Sequence, residues 1–144
     1  MKKLGTSVII AASLGVAFGV SNINNHAAAA TWHKGTPTVL RGKYRTAFKS
    51  VKPYYFRSYL HITTYKLQFW QNEYSHSKKY VSSANVFGIN GKAKYRKLKA
   101  GLYEVRGNAY VDQTQTWYVK RYSHNRVRLT YTKSFAGQDY YQKY

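Results

Sequence analysis

The stretch TWYVKRYSHNRVRLTY, residues 116–131, carries the fold in miniature. Trp117 and Val119 alternate with Tyr118 and Lys120. After a polar break at Ser123-His124-Asn125, Val127, Leu129 and Tyr131 alternate with Arg126, Arg128 and Thr130. A strand turns successive side chains to opposite faces, so a period of two puts apolar groups on one face and cations on the other. That is the pattern of an antiparallel sheet with one face on a core and one in water.

The same pattern recurs outward from this stretch. Tyr44, Thr46 and Phe48 alternate with Lys43, Arg45 and Lys49, and Tyr65, Leu67 and Phe69 alternate with Lys66, Gln68 and Trp70. Asn90-Gly91 suits a two-residue hairpin turn, which needs positive φ at both central positions. It predicts Val81–Ile89 pairing with Lys92–Leu98. Ala100-Gly101 suits a second hairpin with glycine in the left-handed position. Gly107-Asn108 reads as a turn or a bulge. Thr63-Thr64 is a poor turn, so Tyr54–Trp70 reads as one long bent strand. About seven to nine short strands with no long helical period predict an all-β chain, a single small antiparallel β-barrel or sandwich. Closure into a barrel would remove exposed strand edges.

The first thirty residues differ in kind. Met1-Lys2-Lys3 is positive, Leu4 to Val20 is apolar and uncharged, and Ser21 to Ala30 is polar and ends in alanines. Those three zones predict a secretory signal peptide, a short helix cut after Ala30 or one residue earlier. An uncleaved anchor is the alternative. Seventeen residues diluted by Gly, Ser and Thr stand at the short end of the span a bilayer requires. The expected domains are therefore a leader at 1–30 and a β-domain at 31–144.

Beyond Ala30 lie 22 of the 24 Lys and Arg and all four acidic residues, a formal charge of +18. Sixteen Tyr, three Trp and five of the six Phe share that stretch. Basic disordered tails lack such aromatics, so the chain is expected to fold. With no cysteine, no disulfide supports it. So large a charge repels itself unless salt or a polyanion intervenes.

Trp32-His33-Lys34-Gly35-Thr36-Pro37, followed by Leu40-Arg41-Gly42-Lys43-Tyr44, resembles the mature start of a family of small, basic, Tyr/Lys-rich secreted proteins of lactobacilli and related lactic-acid bacteria. Those often read W-H-K-G-T-P-K and then L-R-G-K-W or L-R-G-K-Y. Thr38 stands where Lys is usual. The resemblance implies a place outside a Gram-positive cell, free or on the wall, and no particular activity. Gly42-x-Tyr44 is also similar to the G-x-W of lipocalin-type barrels, which implies a calycin-like topology with this segment on the barrel floor.

Catalytic patterns are sparse. Glu73, Glu104, Asp112 and Asp139 are the carboxylates after Ala30. A glycosidase uses two of them across a bond. Glu73 lies close in sequence to Trp70, a sugar-stacking residue type, but a solvated carboxylate among cations explains it as well. His33, His61, His76 and His124 have no metal-ligand spacing, and no nucleophile motif occurs. The chain is expected to be non-enzymatic and to need no cofactor or metal.

The run Lys92-Ala93-Lys94-Tyr95-Arg96-Lys97-Leu98-Lys99 holds five cations in eight residues. Taken singly it is a solvated strand face. Within a uniformly basic domain it reads as an anion-binding patch. Lys92, Lys94, Arg96, Lys97 and Lys99, extended by Arg121, Arg126 and Arg128, are the candidate polyanion-binding residues. Trp117 is expected in the core, and Trp32 exposed or plugging a barrel end. Outside a Gram-positive cell the available partners are anionic cell-wall polymers such as teichoic acid, or anionic lipid headgroups. Nucleic acid would bind nonspecifically in vitro. The expected state is a monomer. The alternatives are a lipocalin-like small-ligand barrel and a cationic antimicrobial protein.

Overall fold

A computed structural model describes residues 31–109 and 113–144. The expected leader at Met1–Ala30 and the carboxylate Asp112 fall outside the described residues. No helix among the described residues is long and apolar enough to cross a membrane.

Trp32–Tyr144 is one compact all-β unit. Its strands are β1 (His33–Lys34), β2 (Gly42–Arg45), β3 (Lys49–Val51), β4 (Tyr54–Ile62), β5 (Leu67–Tyr74), β6 (Tyr80–Ser83), β7 (Phe87–Ile89), β8 (Gly91–Lys99), β9 (Leu102–Asn108), β10 (Thr114–Ser123), β11 (Arg126–Thr130) and β12 (Tyr141–Lys143), with a 3₁₀ turn at Thr38–Leu40. They form one antiparallel sheet in the order β1-β8-β9-β10-β11-β12-β2-β4-β5-β6, with β3 also on β4 and β7 also on β5. The ladders do not close into a ring. The chain itself spans the gap: β7 bonds to β5 and, one residue later, β8 bonds to β9.

The hairpin expected at Asn90-Gly91 therefore does not form. The strand bends there and changes partner. Ile89 and Ala93 are both buried on either side of the bend, so a reversal would withdraw one of them from the core. The ladder register shifts between Gly91 and Lys94, and Lys92 takes the positive φ, at 50°. A bulge of this kind bends one strand sharply while its neighbour runs on. The Asn90 N–H bonds to the Asn108 carbonyl at 2.7 Å. Gly107 is neither turn nor bulge but the point of closest approach. A Cβ there would stand 2.5 Å from Ile89 Cγ2 and 2.8 Å from the Gly91 carbonyl oxygen.

Other turns follow from burial. Residues 54–70 hold two strands rather than one. Ile62 and Leu67 are both buried, and the exposed Thr64, Tyr65 and Lys66 between them reverse the chain. The Thr63 N–H closes that turn on the Lys66 carbonyl at 2.9 Å. The Ala100-Gly101 hairpin forms as expected, with Gly101 at φ +70°. The strand expected over 42–49 is interrupted at Thr46–Phe48, and its two parts, β2 and β3, pair with the same β4. Tyr131 is 72% exposed rather than inward, because β11 ends at Thr130.

The core is filled by Leu40, Tyr44, Leu60, Ile62, Leu67, Ile89 and the valines of β9–β11, with Trp117 at its margin. Each such aliphatic side chain contributes about 1.5–3 kcal/mol on burial. Residues 35–44 close one end. The Gly35 N–H bonds to Ala93 O at 2.7 Å and the Thr36 N–H to Thr64 O at 2.9 Å. The Thr36 hydroxyl donates to Thr63 O, and Arg41 Nη2 donates to Thr36 O at 2.9 Å. Tyr44 donates its hydroxyl to Leu40 O at 2.9 Å. The segment that carries the sequence resemblance is thus a structural clasp.

Two outcomes follow. Replacing Gly107 with Ala should cost about 1–3 kcal/mol by overpacking, read as a lower denaturant midpoint with unchanged m. Burial pushes the Tyr44 and Tyr141 phenols above the ordinary tyrosine pKa, against weaker lowering by Arg121 and by the Ser58 hydrogen bond respectively. The fold therefore favours their neutral forms. That stability is intact below about pH 10 and is lost as pH rises through the folded values. Alkaline unfolding in high salt, followed by phenolate absorbance, should be cooperative, and Tyr44→Phe should flatten it.

Candidate polyanion-binding face

The four strands β8–β11 turn one face to the core and one to water. Val105, Trp117, Val119 and Val127 point inward and are buried. The outward residues line up across the ladders. Lys94 is opposite Arg106, which is opposite Thr116; Arg96 is opposite Glu104, which is opposite Tyr118. Leu102 is opposite Lys120, which is opposite Arg128. Neighbouring strands lie about 4.8 Å apart, so the cations spread over roughly 15 Å.

Two aromatic stations hold these cations. At one, Trp32 lies under Lys94, Arg96 and Arg106 at 5.2, 5.0 and 5.1 Å from its ring. Glu104 is buried beneath them. It accepts from Arg96 Nε at 2.7 Å and from Arg106 Nη2 at 3.2 Å. These are the ion pairs among the described residues, so the only paired carboxylate sits inside this station. Three cations there face one anion.

At the other station, Tyr122 and Tyr140 pack edge to face at 5.1 Å. Arg128 stacks on Tyr140 at 3.8 Å and Arg126 at 4.7 Å, while Lys120 lies 4.9 Å from Tyr122. No ion pair offsets these three charges among the described residues. A guanidinium stacked on a ring loses water from its face but keeps its N–H edge free to fork onto an anion. Arg128 already donates Nη1 to the Phe135 carbonyl at 3.5 Å, and its Nε is buried without a hydrogen-bond partner, so Arg126 and Lys120 offer the freer donors.

The candidate residues thus divide. Lys94 and Arg96 stand at the Trp32 station, with Lys92 exposed at the bulge beside them. Arg126 and Arg128 stand at the Tyr140 station. Lys97 leaves the row. It lines a cavity of about 290 Å³ with His33, Pro37, Tyr95 and Tyr103, and Lys99 follows a second register shift. Arg121 points inward beside Val119, opposite the buried Val127, where its charge reaches Tyr44. Arg106, Tyr122 and Tyr140 went unnoticed in the sequence. Only the ladder register brings Arg106 to the Lys94 row, and Tyr140 reaches Arg128 from an irregular segment. Trp32 plugs nothing; it is half-buried under cations. Glu73 and Trp70 lie on opposite faces of β5, so they do not form a sugar-cleaving pair. Among the described residues no cluster of His, Asp or Glu could hold a metal ion.

The chain matches no known protein family, no curated protein and no solved structure.

Glu104→Gln should destabilise the fold by about 1–3 kcal/mol, since it leaves two arginines facing each other over a buried amide. The loss should shrink in high salt. Equal loss at every salt concentration would assign Glu104 a packing role only.

Proposed function

We propose that this is a secreted, non-enzymatic protein held on anionic polymers of a Gram-positive envelope, chiefly phosphate-bearing chains, by the outer face of β8–β11. The supporting observation is the Tyr122–Tyr140 station, where Lys120, Arg126 and Arg128 converge without a paired carboxylate. A flexible polyanion crossing the strands would meet that station and then the partly neutralised Trp32 station. Each phosphate engaged releases condensed counterions, so affinity falls steeply as salt rises. The N-terminal leader pattern and the lactobacillar resemblance support the location.

Binding to purified teichoic acid, measured over a salt series, tests the reading. The triple variant Lys120→Gln, Arg126→Gln, Arg128→Gln should bind more weakly and lower the salt slope by roughly two to three. Lys49→Gln with Lys52→Gln, at cations outside this face, should change it little. Wild-type binding that ignores salt would overturn the proposal.

A further inference from the structure

The opposite half of the sheet presents a different outer face. On β4 and β5, Leu60, Ile62 and Leu67 are buried, so Tyr59, His61, Trp70, Asn72 and Tyr74 alternate outward. Tyr59 and Trp70 are direct cross-strand partners. Their rings stack at 5.5 Å and 13°. Two rings rising from adjacent strands and facing each other stand upright on the sheet. Tyr59 covers one face of the indole. Among the described residues no other ring or cation lies over Trp70, which remains partly open to solvent.

Tyr59 is fixed from two further sides. Its hydroxyl shares a short hydrogen bond with Tyr74, and Tyr144 packs edge-on at 6.2 Å. Two cations border this group: Arg57, opposite Asn72, lies 3.7 Å from the Phe48 ring and hydrogen-bonds the Tyr59 hydroxyl, and Arg45 is stacked on Tyr144 at 4.6 Å. Beyond Trp70, towards β6, lies a line of neutral polar groups. Ser83 Oγ donates to Asn72 Oδ1 at 2.7 Å, Tyr80 and Ser83 hydroxyls meet at 3.0 Å, and Asn72 Nδ2 donates to the Tyr74 hydroxyl at 3.4 Å. The arrangement is an aromatic wall, braced from behind, over a floor of hydroxyls and an amide.

We infer that Trp70, braced by Tyr59, forms with Asn72, Ser83 and Tyr80 a subsite for a neutral glycan. The C–H face of a pyranose carries partial positive charge and packs on the negative face of an indole. Its hydroxyls donate and accept at once, as the amide and hydroxyls of the floor do. Arg57, opposite Asn72, is turned onto the Phe48 ring and the Tyr59 hydroxyl, so the floor offers the ligand neutral polar groups, where β8–β11 offers rows of cations. The subsite stands independently of the charge-based reading.

The experiment uses peptidoglycan stripped of anionic polymers and sedimented with the full domain in about 1 M salt, where screening falls to about 3 Å and the cationic face is silent. The wild type should co-sediment. Trp70→Ala should bind about fivefold to tenfold more weakly, Trp70→Tyr should keep most of the binding, and the Lys120/Arg126/Arg128 triple variant should match the wild type. Soluble chitin hexasaccharide should shift tryptophan emission in the wild type but not in Trp70→Phe, where Trp32 and Trp117 still report an intact fold. That second readout stands even if Trp70→Ala fails to fold. Absence of high-salt binding, or binding equal in Trp70→Ala, would overturn the inference. So would a Trp70 signal saturated by oligothymidylate and not by the glycan. Loss of teichoic acid binding with glycan binding intact would fault the charge reading alone.

Discussion

One stretch of chain, Phe87 to Lys99, belongs to both halves of the sheet. Its first three residues complete β5, and from Gly91 onward it completes β9. The sheet can wrap a single core only because this strand bends at a bulge, and the bend exists only because Gly107 leaves room for Ile89. Without that crossing the sheet, joined otherwise only through β12, would stay open along one side with part of its apolar face in water. The ladder hydrogen bonds, the inward valines and the end clasp at Thr36–Tyr44 all presuppose it.

The crossing also explains what the sequence could convey. Alternation at 117–129 and at 67–70 marked the strands and their faces correctly, because side-chain period is a local property, while Tyr65 and Tyr131 lie beyond the strand ends and are exposed. Ala100-Gly101 was legible as a turn for the same reason. Asn90-Gly91 misled. The dipeptide permits a reversal, but whether the chain reverses depends on the core contacts of Ile89 and Ala93, which are remote in sequence. Tyr54–Trp70 misled in the other direction, since Thr63–Lys66 has no strong turn residue and reverses only because Ile62 and Leu67 both seek the interior.

The candidate face was legible in part. The density of cations at 92–99 and 126–128 was visible, but their grouping was not. Register decides that Arg106 joins Lys94 and that Lys97 does not. Ordinary alternation from Trp117 and Val119 turns Arg121 inward while Lys120 beside it faces out. The aromatic supports were hidden because rings and cations that meet come from distant segments. Trp32 meets Arg106, and Tyr140 meets Arg128. This pairing also explains how so basic a chain stays folded. Rings take the place that carboxylates hold in ordinary proteins: their faces attract cations without cancelling the charge, so the protein keeps its field.

The short strand β12 lies between β11 and β2, joining residues near 127 to residues near 45. Together with the bond from Gly35 to Ala93, it means that early segments complete their pairing only when much later ones exist. Distant contacts thus complete what the local hairpins begin, and a fold that needs them forms more slowly than a wholly local one. Cutting the chain before Tyr141 would therefore unpair β2 from β11 as well as remove β12, so the last few residues hold a seam between the earliest and latest strands.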